Sequence, residues 1–185
     1  MDLDFSEQGQ PYFVPLPTKL AHPRLPTALV VRELLLKVLD AALTHRLTLV
    51  SAAAGWGKTT LLSVWATEHA APIAWVSLVE RDNDPTLFWT NVTTALQKHI
   101  PAVGAVALSM LHSSERPPLT TILLSLLSDL TSTAEITPML LILDDYHMIN
   151  DSAIHESLTF LIEHLPDYLR VVIASRIDPD LPLPR

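Results

Sequence analysis

The run Leu47-Thr-Leu-Val-Ser51 passes directly into Ala52-Ala-Ala-Gly55-Trp-Gly57-Lys58-Thr59-Thr60, and this junction constrains the fold more than any other stretch. A short β-branched and leucine-rich run reads as a strand, and the glycines after it read as a tight turn. Gly-Lys-Thr then opens a helix. The parts belong together: the strand aims the loop, small residues let backbone N–H groups curl round an anion, and the helix N-terminus faces the charge. On this pattern Lys58 reaches the β- and γ-phosphates of a nucleotide, Thr59 holds Mg²⁺ and Thr60 bonds the α-phosphate. The strict pattern has Gly where this chain has Ala52. Alanine serves there only if the position does not need a positive φ.

A second apolar run, Met139-Leu-Leu-Ile-Leu143, ends in Asp144-Asp145. It is too short to cross a membrane and has the continuous apolarity of a buried parallel strand. Two adjacent acids at a strand end also suit a solvated turn. Placed about 85 residues after a phosphate loop, they read as its metal side, a Walker B strand. Asp144 then holds Mg²⁺ and Asp145 orients the attacking water. A later strand, Arg170-Val-Val-Ile-Ala-Ser175, ends in Arg176. That arginine either bonds the γ-phosphate or caps a solvent-facing strand end.

The pattern between these points alternates strand and helix. An amphipathic helix is expected over 29–43, the loop's own helix over 58–69, a strand over 73–77 and a helix over 85–98 with Asp84 as N-cap and Pro85 first. Residues 101–117 read as a loop or weak helix, 119–130 as a helix and 151–164 as another. Alternation of this kind predicts an α/β fold with a mostly parallel sheet covered on both faces, a three-layer αβα P-loop NTPase. Residues 1–17, with three prolines, read as an arm, and 18–185 as the domain. The proline-rich exit after Ser175 reads as a domain cut short after the strand that follows Walker B.

Composition narrows the function further. The chain has 185 residues, is 49% hydrophobic, carries a formal charge of -8 and contains no cysteine. Disulfides and thiolate chemistry are therefore excluded, and no Lys/Arg cluster argues for nucleic-acid contact. The acidic start Met1-Asp-Leu-Asp and the lack of a long apolar run lead to the expectation of a soluble cytoplasmic protein without membrane contact. His155-Glu156 lacks the second histidine of a zinc-protease helix, and Gly-x-Ser-x-Gly is absent.

Several strings together carry a resemblance: Thr18-Lys19-Leu20, Leu29-Val30-x-Arg32, Ser51 to Thr60, Trp75-Val-Ser-Leu78, Asp82-Asn-Asp-Pro85-x-x-Phe88-Trp89, Asp144-Asp-Tyr-His147 and Ser175-Arg176-x-Asp-Pro179. Over about residues 17–185 the chain resembles the ATPase domain of MalT-like LuxR-family transcriptional regulators, members of the STAND class of signal-transducing NTPases. The resemblance implies a switch: ADP holds a resting form, and inducer with ATP drives self-association. It places Val30 and Arg32 in an adenine pocket. It accommodates Ala52, and Trp56 where phenylalanine is commoner. The implied nucleotide-binding set is Val30, Arg32, Ala52, Gly55, Trp56, Gly57, Lys58, Thr59 and Thr60, with Thr59 and Asp144 on the metal. Lys58, Asp145 and Arg176 act on the phosphate. Asp145, shorter than the glutamate of fast ATPases, implies slow turnover. Partners implied are nucleotide, further copies and the regulator's downstream domains. Two other readings stand beside the switch, a non-hydrolysing interaction module and a small-molecule kinase; the kinase is disfavoured because only Arg81 and Arg116 lie between the loop and Arg170.

Overall fold

The computed structural model describes residues 16–25, 29–69, 71–133, 137–179 and 181. The arm expected over 1–17 lies outside these, apart from Leu16 and Pro17, and so does most of the proline-rich exit beyond 179. Four strands are present: β1 Leu47–Ser51, β2 Ile73–Ser77, β3 Met139–Asp144 and β4 Leu169–Ser175. All pair in parallel, in the order β1-β4-β3-β2. β4, the last strand in the chain, therefore lies between the strand that leads into the loop and the strand that ends in the acids. Register brings Ser51 opposite Ser175 and Ser77 opposite Asp144. The polar strand ends thus share one rim of the sheet.

The strands' period of two sorts their side chains onto two faces. On one face Trp75, Leu140, Ile142, Val172 and Ala174 pack with Leu36 and Leu39 of α1 (Glu33–Leu39) and with Leu62, Val64 and Trp65 of α2 (Lys58–Glu68). On the other, Val76, Leu141, Leu143, Val171 and Ile173 meet α3 (Pro85–Gln97), α4 (Ala105–Leu111), α5 (Leu119–Thr131) and α6 (Ser152–His164). Each large side chain buried this way contributes roughly 1.5–3 kcal/mol relative to exposure. Phe88, Trp89, Val92 and Leu96, spaced for one helix face, are all fully buried. The result is a three-layer α/β fold of the P-loop NTPase type. No helix among the described residues is long and apolar enough to cross a membrane.

Asp84 caps α3 as its spacing predicts, accepting from the Thr86 and Leu87 N–H groups through Oδ1. Two elements differ from expectation. The helix expected over 29–43 is shorter: Arg32 precedes α1 with φ -104° and ψ 76°, and Asp40–Leu43 tightens into a 3-10 turn. β-branched Val30 and Val31 disfavour earlier initiation. Conversely, the weak segment after 101 holds α4, entered through Gly104 at φ +76° and fixed by a bond from the Gly104 N–H to Asp129 Oδ2 at 2.8 Å.

A 3-10 turn over Pro17–Leu20 packs beside β2. Its Lys19 forms a buried ion pair with Asp82, whose carboxylate also accepts from the Val79 N–H and from Asn91 Nδ2. The Asp82 side chain has 0% exposure, so removing its cation strands a charge in the core. Lys19→Met is expected to destabilise the chain by about 3–5 kcal/mol, and Lys19→Met with Asp82→Asn by clearly less. Urea unfolding of the three proteins is the check; equal losses would remove the ion pair as the cause.

Candidate functional site

The loop is built by backbone conformation. Gly55 and Gly57 both have φ +79°, with open space where a Cβ would project. A side chain there would be strained by the dihedral itself. Asp145 is the one non-glycine residue with positive φ among the described residues, so Ala52 meets the condition its substitution for glycine imposed. The Ala52 N–H donates to Ser175 O at 3.3 Å, which fastens the loop's start to the end of β4. Gly57 then caps α2, whose first residue is Lys58.

Lys58 is buried and turns back over its loop, donating from Nζ to Ala52 O at 2.6 Å and to Ala53 O at 3.2 Å. Thr59 Oγ1 donates to Asp144 Oδ1 at 3.1 Å, and the Asp145 N–H donates to the same oxygen at 3.0 Å. Burial pushes the Asp144 carboxyl up to about 6, with the bond from Thr59 and the charge of Lys58 opposing and the charge of Asp145 assisting. A hydroxyl and a desolvated carboxylate side by side are a donor set of hard oxygens, suited to Mg²⁺.

A cavity of about 380 Å³ opens in front of these groups, lined by Gly55, Gly57, Lys58, Thr59, Thr60, Asp145 and Arg176. The sheet order thus brings Arg176, Asp145 and the loop together although they lie far apart in the chain. A second cavity, of about 170 Å³, is walled by Leu29, Val30, Arg32, Trp56, Leu61 and Val64. Its two walls are joined where Arg32 Nη1 donates to Trp56 O at 3.4 Å. Gly55, Gly57 and Thr60 line both cavities. Every residue singled out from the sequence lies on one of them, except Ala52 and Asp144, which hold Lys58 and Thr59 from behind. Leu61 and Val64 of α2 were not foreseen as part of a site.

His147 stands beside the acids, its Nδ1 3.8 Å from Asp145 Oδ1. Burial first, then the charge of Arg176, lower its pKa, so the ring is neutral at physiological pH.

No protein-family model matches the chain. Over 166 residues, which are 90% of this chain, it is 36% identical to the HTH-type transcriptional regulator MalT of Cronobacter sakazakii. The chain spans 18% of the length of that curated relative. The resemblance drawn from the motifs therefore stands: across nine-tenths of its length the chain is similar to MalT.

The raised Asp144 carboxyl has a consequence for stability. Between the ordinary value of 3.8 and about 6 the folded state holds a proton that the unfolded state has released. Stability therefore falls as pH rises through that window, and the cost is complete above it. In EDTA, Asp144→Asn keeps an oxygen for Thr59 and for the Asp145 N–H but carries no charge. It is expected to exceed wild type by about 2–3 kcal/mol at pH 7.5 and to match it near pH 3.5. Denaturant midpoints across pH test this; a gap independent of pH would show that the charge is not the cause.

Proposed function

We propose that this chain is a nucleotide-binding module that takes Mg-ATP and Mg-ADP, hydrolyses ATP slowly, and serves as the switch of a MalT-like transcriptional regulator. The observation that carries the reading is that two neighbouring cavities share Gly55, Gly57 and Thr60 in their walls. The larger is lined by Lys58, Arg176, two threonines and the loop glycines with Asp145 at its wall, the smaller by aliphatic side chains, Arg32 and Trp56. A nucleotide has the same division, with an anionic chain at one end and a flat apolar base at the other.

Each residue then has a role. Lys58 exchanges its bonds to the Ala52 and Ala53 carbonyls for phosphate oxygens, while the N–H groups at the start of α2 face the same anion. Thr59 and Asp144 would hold a metal, which when bound would supply positive charge to offset that of the phosphates. Thr60 faces the α-phosphate. Val30, Arg32 and Trp56 enclose the base, and the Arg32–Trp56 bond fixes the spacing between their segments. Asp145 orients water for attack on the terminal phosphate and Arg176 meets the charge that develops there. Such catalysis is positioning and electrostatics, with no covalent enzyme intermediate.

The regulatory part of the proposal rests on the similarity to MalT, of which this chain spans 18%. A difference between the ATP and ADP forms would be read by other parts of such a regulator, or by a second copy. Inducer recognition and DNA contact belong to those parts, and the chain's charge of -8 agrees with a module that does not itself bind DNA.

Ligand that binds the folded state alone raises stability by mass action, by about 2.7 kcal/mol at a hundred times Kd. For a chain of this size Mg-ADP and Mg-ATP should raise Tm by about 5–10 °C, and Lys58→Ala should abolish the rise. Asp145→Asn should keep the rise and lose phosphate release. Absence of any rise in cooperatively folding wild type would overturn the proposal, and a rise without phosphate release would favour a binding module that does not hydrolyse.

A further inference from the structure

We propose that Asn83 is a positioning residue for Asp145, clamping the turn that follows the acid strand so that Asp145 is kept in its left-handed backbone conformation at the phosphate cavity. Asp145 has φ 57° and ψ 39° and caps the 3-10 turn Tyr146–Met148. An aspartate adopts this conformation at a cost, and such residues persist where the surroundings over-determine them. The turn's entrance is held by the bond from the Asp145 N–H to Asp144 Oδ1. Its exit is held by Asn83.

The Asn83 side chain makes four hydrogen bonds, three of them there. Nδ2 donates to Met148 O at 2.7 Å and to Glu80 O at 3.0 Å. Oδ1 accepts from the Asn150 N–H at 2.6 Å and the Asp151 N–H at 3.2 Å. One amide thus bridges the last residue of the turn and the two residues that lead into α6, across 65 to 68 positions of sequence. Asn83 is itself well anchored. It ends the turn Glu80–Asn83, whose Asp82 is fully buried and bonded to Lys19, Asn91 and the Val79 N–H.

The clamp is needed because the turn's own side chains do not provide it. His147 Nδ1 lies 3.8 Å from Asp145 Oδ1, beyond hydrogen-bond reach, and neither of its ring nitrogens has a hydrogen-bond partner among the described residues. Tyr146 is directed to His155, with its hydroxyl 2.8 Å from Nδ1. The aim of the Asp145 carboxylate into the cavity therefore follows from the backbone, in which the Met148 N–H closes the turn on Asp145 O at 3.0 Å and Asn83 holds that same Met148 from outside. The catalytic side of this inference rests on Asp145 acting as the water-orienting acid proposed above; the conformational side does not.

The test uses the full chain with Asn83→Ala, and with Asn83→Asp, which keeps acceptors for the Asn150 and Asp151 N–H groups but cannot donate to the Met148 and Glu80 carbonyls and sets a charge against them, as the fallback should the alanine variant not fold cooperatively. Backbone ¹³C and ¹⁵N shifts at Asp145 report the sign of φ without nucleotide. Wild type should show positive φ, and the variant should lose it. Single-turnover phosphate release should fall by at least about tenfold while Mg-ADP affinity stays within about twofold, and Asn83→Ala should cause no further loss on top of Asp145→Ala. Retention of positive φ in a folded Asn83 variant, or losses that multiply in the double variant, would overturn the inference. Wild type without turnover would instead remove the hydrolytic reading of Asp145 while the shifts still decide whether Asn83 holds it.

Discussion

The bond from Thr59 Oγ1 to Asp144 is the contact on which the site's geometry depends. Thr59 lies in the first turn of α2, which leaves β1, and Asp144 ends β3; β4 stands between those strands. No local preference brings the two together, since 85 residues separate them. Their distance is set by two parallel ladders, β1 to β4 and β4 to β3, each with its register specified by alternation between two apolar faces. A slip of one residue in either ladder would turn Val172 and Ile173 onto each other's faces and draw Asp144 away from Thr59. The packing of the core and the placement of the site are thus one requirement.

That placement is costly without ligand. Asp144 is nearly inaccessible, and its Oδ1 accepts from both Thr59 and the Asp145 N–H, yet burial outweighs these bonds and raises the carboxyl to about 6. Packing alone would favour a neutral residue at this strand end. A divalent cation held there would reverse the balance, because its charge would be the largest near the carboxylate. The same logic applies to Lys58, which satisfies itself on loop carbonyls until an anion competes. Both groups are destabilising or self-bound alone and complementary to the two halves of a metal-phosphate ligand, which is the stability-for-function exchange expected of a binding site.

Much of this could be read from residue order. The strand-loop-helix at 47–60, the acid strand and the capped α3 carry strong local signals: glycines at the two positions with φ +79°, an unbroken apolar run and Asp84 before Pro85. What local pattern could not supply falls into two kinds. Apolar periodicity over 29–43 reads as a long helix, but Leu34 and Val38 of the shorter α1 remain 79% and 68% exposed, so the period marks a face without showing that anything covers it. Tertiary bonds are the other kind. The Lys19–Asp82 pair, the Gly104–Asp129 bond and the Asn83 clamp join residues 25 to 68 positions apart. Asp82 and Asn83 lie within a motif string whose residue types announce a turn and a cap, while their buried partners depend on the fold being already formed.

The net charge of -8 raises the question of how such a chain would take the polyanion proposed for it. Screening confines exposed charges to about 8 Å at physiological salt, so the global excess of acid weighs little inside a cavity. What counts there is local: Lys58, Arg176 and the N-terminus of α2 face the space, with Asp145 opposing them at its wall and Asp144 behind Thr59. Against a bare phosphate chain the two carboxylates subtract from the attraction. A divalent cation held by Thr59 and Asp144 would offset that subtraction. An acidic pair beside a cationic loop would therefore favour a metal complex over the free anion.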